Sequence, residues 1–403
     1  MEPNKLTRWP YLLAGALCML FSGIIYAWSV LKAPLSAEFG WGGSQLALNY
    51  TLSLCFFCIG GVLASRISRR TSPRLSMILA GLLLCLGFFL CSRLSGQILM
   101  LYLSFGVLGG LGVGMTYNAV IATVGAWFPD KKGTCSGILM MSFGVSSLLL
   151  GKVADAMFSL PALGWRKTYF ILGASIGAIF VLSSLFIRPP APGAVLPKPP
   201  VRQMTREDFE PRDFESGEML RRPTFWKFFV FCILTSAVGS TIISFARELA
   251  LSLGAAAALA TTLVGVLSVC NGLGRVLCGL IFDNLGRRNT MLLGNFLTIL
   301  APALVLLAVV SGSLPLGVVG LCCTGVCFGF SPTISSAFIG AFYGMEHFST
   351  NYSIVNLMLI PSSFSATLAT ALLTGTGSYA APLIMLIVFA VLALLLNLNI
   401  RRP

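Results

Sequence analysis

The sequence is poor in charged side chains. Only 10% of its 403 residues are Asp, Glu, Lys or Arg, and 56% are hydrophobic, whereas soluble proteins carry about 25% charged residues. Too few polar side chains remain to cover a water-exposed surface, which excludes a soluble globular fold. The same numbers exclude a disordered chain, a coiled coil and a nucleic-acid-binding arm. The length instead fits about a dozen membrane-spanning helices of roughly 20 residues each.

Histidine is almost absent, and cysteine occurs without a pattern. The single histidine, His347, has no neighbouring ligand cluster, and the 12 cysteines are scattered through apolar stretches. Cys55 and Cys58 form a CxxC, but no second ligand pair follows it, so both are interpreted as small buried apolar residues. We therefore predict no metal and no cofactor. An enzyme is also disfavoured, because catalysis inside a bundle needs a nucleophile–base pair or a metal.

Long apolar runs predict twelve membrane helices with no cleavable signal before them. One long polar stretch, 188–222, interrupts them with six prolines followed by an acid-rich segment. It separates a predicted N-terminal six-helix half, 1–187, from a C-terminal six-helix half, 223–403, and we predict that it is a cytoplasmic linker. The twelve runs lie at about 10–32, 44–64, 74–93, 98–126, 134–158, 167–187, 224–247, 256–281, 289–310, 314–342, 350–374 and 378–400.

Basic residues predict the orientation. With both termini cytoplasmic, 20 of the 27 Lys and Arg residues fall on the cytoplasmic side and seven elsewhere, as the positive-inside rule requires. The chain is thus expected to be a multi-pass protein of the cell (inner) membrane. The net charge of +14 then faces anionic lipid of the bilayer, and no nucleic-acid partner is needed to explain it.

Two motifs recur in both halves. GVLASRISRR at 61–70 aligns with GLIFDNLGRR at 279–288, an offset of 218 residues, and GAWF at 125–128 aligns with GAFY at 340–343, an offset of 215 residues. Two near-equal offsets predict a parallel repeat of two six-helix halves.

The first motif predicts a conformational latch. A glycine lets two helix ends approach, and a carboxylate with basic residues can hold them together in one state of a rocking bundle. The alternative is static, with the same residues only capping and anchoring helices. The residues concerned are Gly61, Arg66, Arg70, Gly279, Asp283, Arg287 and Arg288.

With these motifs the sequence resembles the major facilitator superfamily over its whole length. The resemblance implies an all-α integral membrane fold of twelve transmembrane helices and a transporter rather than an enzyme. Ser65 replaces the acid of the usual motif, so a latch in the first half would be weaker or differently paired. Five further segments together resemble the oxalate/formate antiporter family, which is related to the monocarboxylate porters: SGIIYAWS at 22–29, GVGMTY at 112–117, WFPDKKG at 127–133, SGEMLRRPTFW at 216–226 and NGLGR at 271–275.

Arg275 is the predicted substrate anchor. Asp283 marks the predicted cytoplasmic end of helix eight. Arg275 comes eight residues earlier, which places it roughly 12 Å deeper along the helix. A charge at that depth costs at least about 2.5–3.5 kcal/mol, and all thirteen acids map to loops or helix ends. An anionic substrate is therefore the expected counter-ion, held by two parallel hydrogen bonds. Asn271, one turn earlier, lies on the same face. The alternative is a structural arginine paired with backbone carbonyls.

The resemblance implies the remaining candidates. Tyr26, Trp28 and Tyr117 match positions that line the family's cavity, and Phe143 stands where the family often has tyrosine. A lysine of oxalate exchangers corresponds to Leu359 here. One positive charge favours a monocarboxylate such as lactate, pyruvate or formate, because an unpaired second carboxylate is costly to bury. Asn356, near Leu359, is a further polar candidate.

The predicted mechanism is alternating access by a monomer, coupled either to anion exchange or to proton symport. Exchange is favoured by the cost of moving an unpaired cation, whereas in symport the proton would travel with the substrate. A dicarboxylate:monocarboxylate antiporter and an exporter of other small molecules remain alternatives.

Overall fold

The computed structural model describes residues 8–191, 194, 196–197 and 213–401, whose regular secondary structure is all helical, without a strand. Most of the predicted linker, including its acid-rich segment before Asp213, lies outside the described residues. In the first part of the chain the helices are α1 (Trp9–Ser22), α2 (Trp28–Phe39), α3 (Gly43–Arg70), α4 (Pro73–Ser92), α5 (Ile98–Leu101), α6 (Gly110–Gly125), α7 (Lys132–Phe158) and α8 (Gly164–Phe186).

The second part of the chain repeats this pattern of long apolar helices. After the short helix α9 (Ser216–Leu220) come α10 (Pro223–Ser244), α11 (Ala246–Ser252), α12 (Ala257–Ser311), α13 (Leu314–Phe342), α14 (Phe348–Asn356), α15 (Leu359–Thr376) and α16 (Ala380–Leu398). Exposed Leu, Ile, Val and Phe side chains are frequent on these helices, which is the surface that a hydrocarbon solvent favours.

Eleven helical stretches among the described residues are long and apolar enough to cross a membrane. One of them, Thr262–Ser311, has 50 residues, about 75 Å at 1.5 Å per residue, whereas a bilayer core is about 30 Å thick. It contains a bend at Gly286, whose φ of 74° and ψ of 178° are not helical. Only glycine adopts such a conformation without penalty. The long helix therefore has two arms, and counting them separately gives twelve candidate spans among the described residues, the number predicted from the sequence.

Three predicted helices are internally irregular. A 3₁₀ segment at Gly23–Ala27 separates α1 from α2, and a π-helical segment at Tyr102–Gly109 separates α5 from α6. The third irregularity is the break between α14 and α15. Leu357 would normally accept a hydrogen bond from the residue four positions later, but that residue is Pro361, which has no N–H. Its carbonyl accepts from Ile360 instead, at 3.1 Å, and α14 is thereby separated from α15.

The described chain divides into two compact units. One contains residues up to Asp130, 142–199 and Tyr352–Asn356; the other contains Lys131–Met141, 200–351 and the chain from Leu357 onward. These units differ from the predicted halves because parts of α7 and α14 are exchanged. The predicted division at 187 and 223 is not tested by this grouping and stays a prediction.

Glycines determine how closely the helices pack in the first unit. A Cβ on Gly114 of α6 would overlap the carbonyl of Phe57 on α3, and one on Gly173 of α8 would overlap the side chain of Phe88 on α4. Helices without side chains at the contact approach through their backbones, which is the usual way of packing in membranes, where the hydrophobic effect does not drive association.

We expect Gly114→Ala to destabilise the protein by about 1–3 kcal/mol, because the added methyl group has no space and the helices must separate. Gly125→Ala, in the last turn of the same helix, is the matched control, since nothing lies within 4 Å of its Cβ position. Thermal denaturation of the purified proteins in detergent measures both. An equal loss of melting temperature in the two variants would contradict the packing argument.

Candidate functional site

Three helix segments of the second unit meet around Arg275. Gly274 and Gly329 bring α12 and α13 into backbone contact at this level, because a Cβ on either glycine would overlap a carbonyl of the other helix. On α7, a Cβ on Gly137 would lie 2.6 Å from the carbonyl oxygen of Arg275. The arginine is therefore enclosed by backbone, and its side chain is only 3% exposed.

The guanidinium group of Arg275 contacts neutral acceptors. Its Nε donates to Oδ1 of Asn271 at 3.3 Å, and its Nη1 donates to the carbonyl oxygen of Met140. Ion pairs within the described part of the chain join Arg8 to Asp130 and Arg166 to Glu38, and neither involves Arg275. The backbone contact expected of a structural arginine is thus present, but the positive charge has no carboxylate partner among the described residues.

A second group of candidates forms an aromatic cluster in the first unit. The ring of Phe143 lies edge-on to those of Tyr26 and Tyr117, with centroid distances of 5.1 Å and 5.0 Å. Phe57 contacts both Phe143 and Tyr117. The hydroxyl groups of Tyr117 and Tyr352 are 3.0 Å apart. Each ring is therefore held by others, while the two hydroxyl groups form the polar part of the cluster.

Three further candidates lie outside both groups. The indole N–H of Trp28 donates to the carbonyl of Leu46 at 3.0 Å, and the ring packs on Phe105. Asn356 is the last residue of α14, and its carbonyl accepts from the thiol of Cys58. Leu359 is the first residue of α15 and is partly buried.

The sequence predicted two of these associations and missed several partners. The contact between Asn271 and Arg275 follows from helical spacing. The family resemblance indicated Tyr26, Tyr117 and Phe143 as residues of one cavity. Phe57 and Tyr352 were missed because an aromatic residue inside an apolar run carries no signal of its own. The acceptor at Met140 is a backbone carbonyl on another helix, which no sequence pattern can indicate.

Asp283 of the predicted latch caps helix α7. Its carboxylate accepts from the backbone N–H of Gly133 at 2.9 Å, from that of Thr134 at 2.7 Å and from the Thr134 hydroxyl at 2.6 Å. A carboxylate at a helix N-terminus satisfies donors that have no partner within the helix and interacts favourably with the helix dipole. Gly279, one turn earlier, is in backbone contact with Gly133, where neither residue has space for a Cβ.

The basic residues of the two motifs differ in their surroundings. The guanidinium of Arg287 lies 4.9 Å from the ring centroid of Phe342, whereas Arg288 is exposed. In the first unit Arg66 and Arg70 are exposed, and Gly61 has only ordinary van der Waals neighbours. Gly279 thus sits at a tighter helix contact than Gly61.

We expect Asp283→Ala to cost about 1–2 kcal/mol of stability, the usual effect of removing a helix cap. Thr134→Val should cost less, because it removes one of the three donors and leaves both backbone N–H groups. Asn284→Ala is the control, since that side chain is exposed and bonds only within its own helix. Melting temperatures of the single variants and of the Asp283→Ala/Thr134→Val double variant give the coupling; additive losses would contradict a direct contact.

No group of three or more His, Cys, Asp or Glu side chains within the described ranges is arranged to hold a metal ion. Among the candidate residues, the polar groups that the structure brings together are the arginine–amide pair, the tyrosine hydroxyls and the helix cap. Such groups bind and orient anions or connect helices.

The sequence and the fold both match known transporters. A family model described as Major Facilitator Superfamily matches residues 11–359 and 229–403. The uncharacterised MFS-type transporter YhjX of Escherichia coli is 29% identical over 358 residues, 87% of this chain and 84% of that protein. The oxalate:formate antiporter of Oxalobacter formigenes is 27% identical over 285 residues, 70% of this chain and 65% of that protein. Mouse monocarboxylate transporter 12 is 31% identical over 157 residues, 39% of this chain and 32% of that protein.

A comparison with solved structures also finds a transporter fold. The crystal structure of the transporter FucP in the outward conformation has a TM-score of 0.70 at 13% identity, covering 98% of this chain and 99% of FucP. At that identity the likeness shows the fold alone. Both the predicted family resemblance and the predicted all-α membrane fold are confirmed.

Proposed function

The chain belongs to the Major Facilitator Superfamily, and on this premise we propose that it carries small organic carboxylates across a membrane by alternating access. The preferred substrate is a monocarboxylate such as lactate, pyruvate or formate. The transporter works as a monomer in the cell membrane, with both termini in the cytoplasm. No catalytic role is proposed.

The observation that carries the proposal is the buried charge of Arg275. Its described contacts use two of the five N–H donors that a guanidinium offers, and both acceptors are neutral. A cation buried without a counter-ion is costly, and a substrate carboxylate would offset that cost while forming charge-assisted hydrogen bonds. Asn271 orients the guanidinium through Nε, which directs Nη1 and Nη2 toward other partners.

Leu359 favours one carboxylate over two. An aliphatic side chain at this position offers no second positive charge, so the distal carboxylate of a dicarboxylate would be buried without a partner. The Oxalobacter relative is named for oxalate and formate exchange, and a dicarboxylate:monocarboxylate antiporter is therefore the second candidate.

The coupling is either anion exchange or proton symport. Asn271 cannot titrate, and the described acidic residues lie in turns, near helix ends or, for Asp283, in the helix cap. These features favour exchange, since they leave no evident protonatable group beside Arg275. In symport the proton would move with the substrate.

We expect Arg275→Ala to lower uptake of labelled lactate, pyruvate and formate into proteoliposomes by about 10–100-fold, the loss of one or two hydrogen bonds to a charged group. Arg275→Lys should retain part of the activity, because it keeps the charge but not the two parallel bonds. Arg247→Ala, which removes an exposed arginine of the same unit, is the control. Wild-type rates in Arg275→Ala would refute the assignment, and stabilisation of the protein by hydrophobic cations instead of carboxylates would refute the substrate class.

The coupling is tested by comparing vesicles loaded with unlabelled carboxylate and empty vesicles exposed to an inward pH gradient. Exchange predicts uptake only into the loaded vesicles. Uptake into the empty vesicles driven by the gradient alone would eliminate obligatory exchange and support symport.

We expect Leu359→Lys to shift selectivity toward oxalate by at least tenfold relative to lactate, because it supplies a partner for the second carboxylate. Ile360→Lys places the same charge one residue later, on a different side of the helix, and should produce no such shift. Competition of unlabelled oxalate and lactate with labelled substrate measures the ratio. If the selectivity of both variants shifted toward oxalate equally, the cause would be the added charge in general and not a binding position at Leu359.

A further inference from the structure

A cavity of about 550 Å³ lies within the first unit, between α2 and α7. Its walls are formed by one face of each helix, with residues spaced three or four apart. The α2 side is apolar and carries Val30, Ala33 and Pro34, while the α7 side carries Leu148 and Phe158 together with polar residues. The volume falls within the range of small-molecule sites, about 300–1,000 Å³.

Two opposite charges line this cavity. Lys152 and Asp155 are both on the α7 wall, one turn apart, with the hydroxyl of Ser147 on the same wall. Both charged side chains are exposed, and the ion pairs among the described residues do not include them. Charged groups in a membrane helix almost always face water or a binding cavity and not lipid, and from this we infer that the cavity admits water and ions.

We propose that this cavity is a second carboxylate-binding site, at which Lys152 captures a substrate anion. The inference rests on the proposed function and extends it to a residue that neither the family resemblance nor the mechanism uses. Lys152 lies six residues from the end of α7 at Phe158, roughly 9 Å along the helix. An ammonium group near a helix end attracts anions at a small desolvation cost, in contrast to the deeper guanidinium.

The remaining walls indicate which carboxylates fit. The apolar side chains of Val30, Leu148 and Phe158 suit a short aliphatic chain, while Lys152 and Ser147 suit the carboxylate. The site should therefore bind lactate, pyruvate or propionate better than formate, which has no chain to bury.

The negative charge of Asp155 weakens anion binding at this site. Its carboxylate stands at the position i+3 from Lys152, within reach of pairing with the ammonium on a helix, and it repels an arriving anion. Weak binding is what a loading site requires, since a tightly held anion would not move on. Removing the Asp155 charge should strengthen binding, which is the opposite of the effect of removing Lys152.

The transport test uses initial uptake of labelled lactate in proteoliposomes at low ionic strength. Lys152→Gln should raise the half-saturating concentration by about three- to tenfold with an unchanged maximal rate, and Lys152→Arg should restore it. Asp155→Asn should lower the half-saturating concentration. Lys167→Gln is the charge-matched control, because Lys167 is exposed, bonds to the carbonyl of Ala162 and does not line the cavity. Salt at about 1 M should remove the differences by screening.

A binding test separates this inference from the assignment of Arg275. Equilibrium dialysis of labelled lactate against purified Arg275→Ala protein should show weak, saturable binding that is lost in Arg275→Ala/Lys152→Gln, with melting temperatures confirming that both variants are folded. Equal binding by these two proteins would overturn the second site even if Arg275→Ala abolished transport. Equal effects of Lys152→Gln and Lys167→Gln on uptake would also overturn it.

Discussion

The structure depends on a positive charge held among neutral groups. Arg275 is enclosed where α7, α12 and α13 meet, and the glycines at 137, 274 and 329 make that enclosure a surface of backbone. Peptide carbonyls can accept hydrogen bonds from a guanidinium, but they do not cancel its charge. We therefore propose an anion as the counter-ion of Arg275, and the proposed transport cycle follows from the binding and release of that anion.

The same helix carries a second charge that is satisfied in the opposite way. Asp283, eight residues after Arg275, accepts three hydrogen bonds from the first turn of α7. One charge on α12 thus joins two helices through three hydrogen bonds, whereas the other contacts only neutral acceptors among the described residues. This contrast is the reason for proposing different roles for two charged residues of one helix, substrate binding for Arg275 and helix contact for Asp283.

The sequence predicted the number and the approximate positions of the spans, because long apolar runs have no other explanation at this charge content. It did not predict their irregularities. The 3₁₀ segment at Gly23–Ala27 and the π-helical segment at Tyr102–Gly109 lie inside uniform apolar runs. Hydropathy carries no information about backbone geometry there. Helical spacing and the missing counter-ion selected Arg275 and Asn271, but the acceptor at Met140 arises from packing between helices distant in sequence and required the structure.

The bend at Gly286 has a consequence for the mechanics of the second unit. The corresponding turn in the first unit ends α3 at Arg70 and begins α4 at Pro73, with Ser72 capping the new helix. In α12 the single residue Gly286, with its positive φ, replaces that turn, so no loop separates the two arms. The two arms are therefore continuous through one residue, and Arg287 and Arg288 lie in the first turn of the second arm.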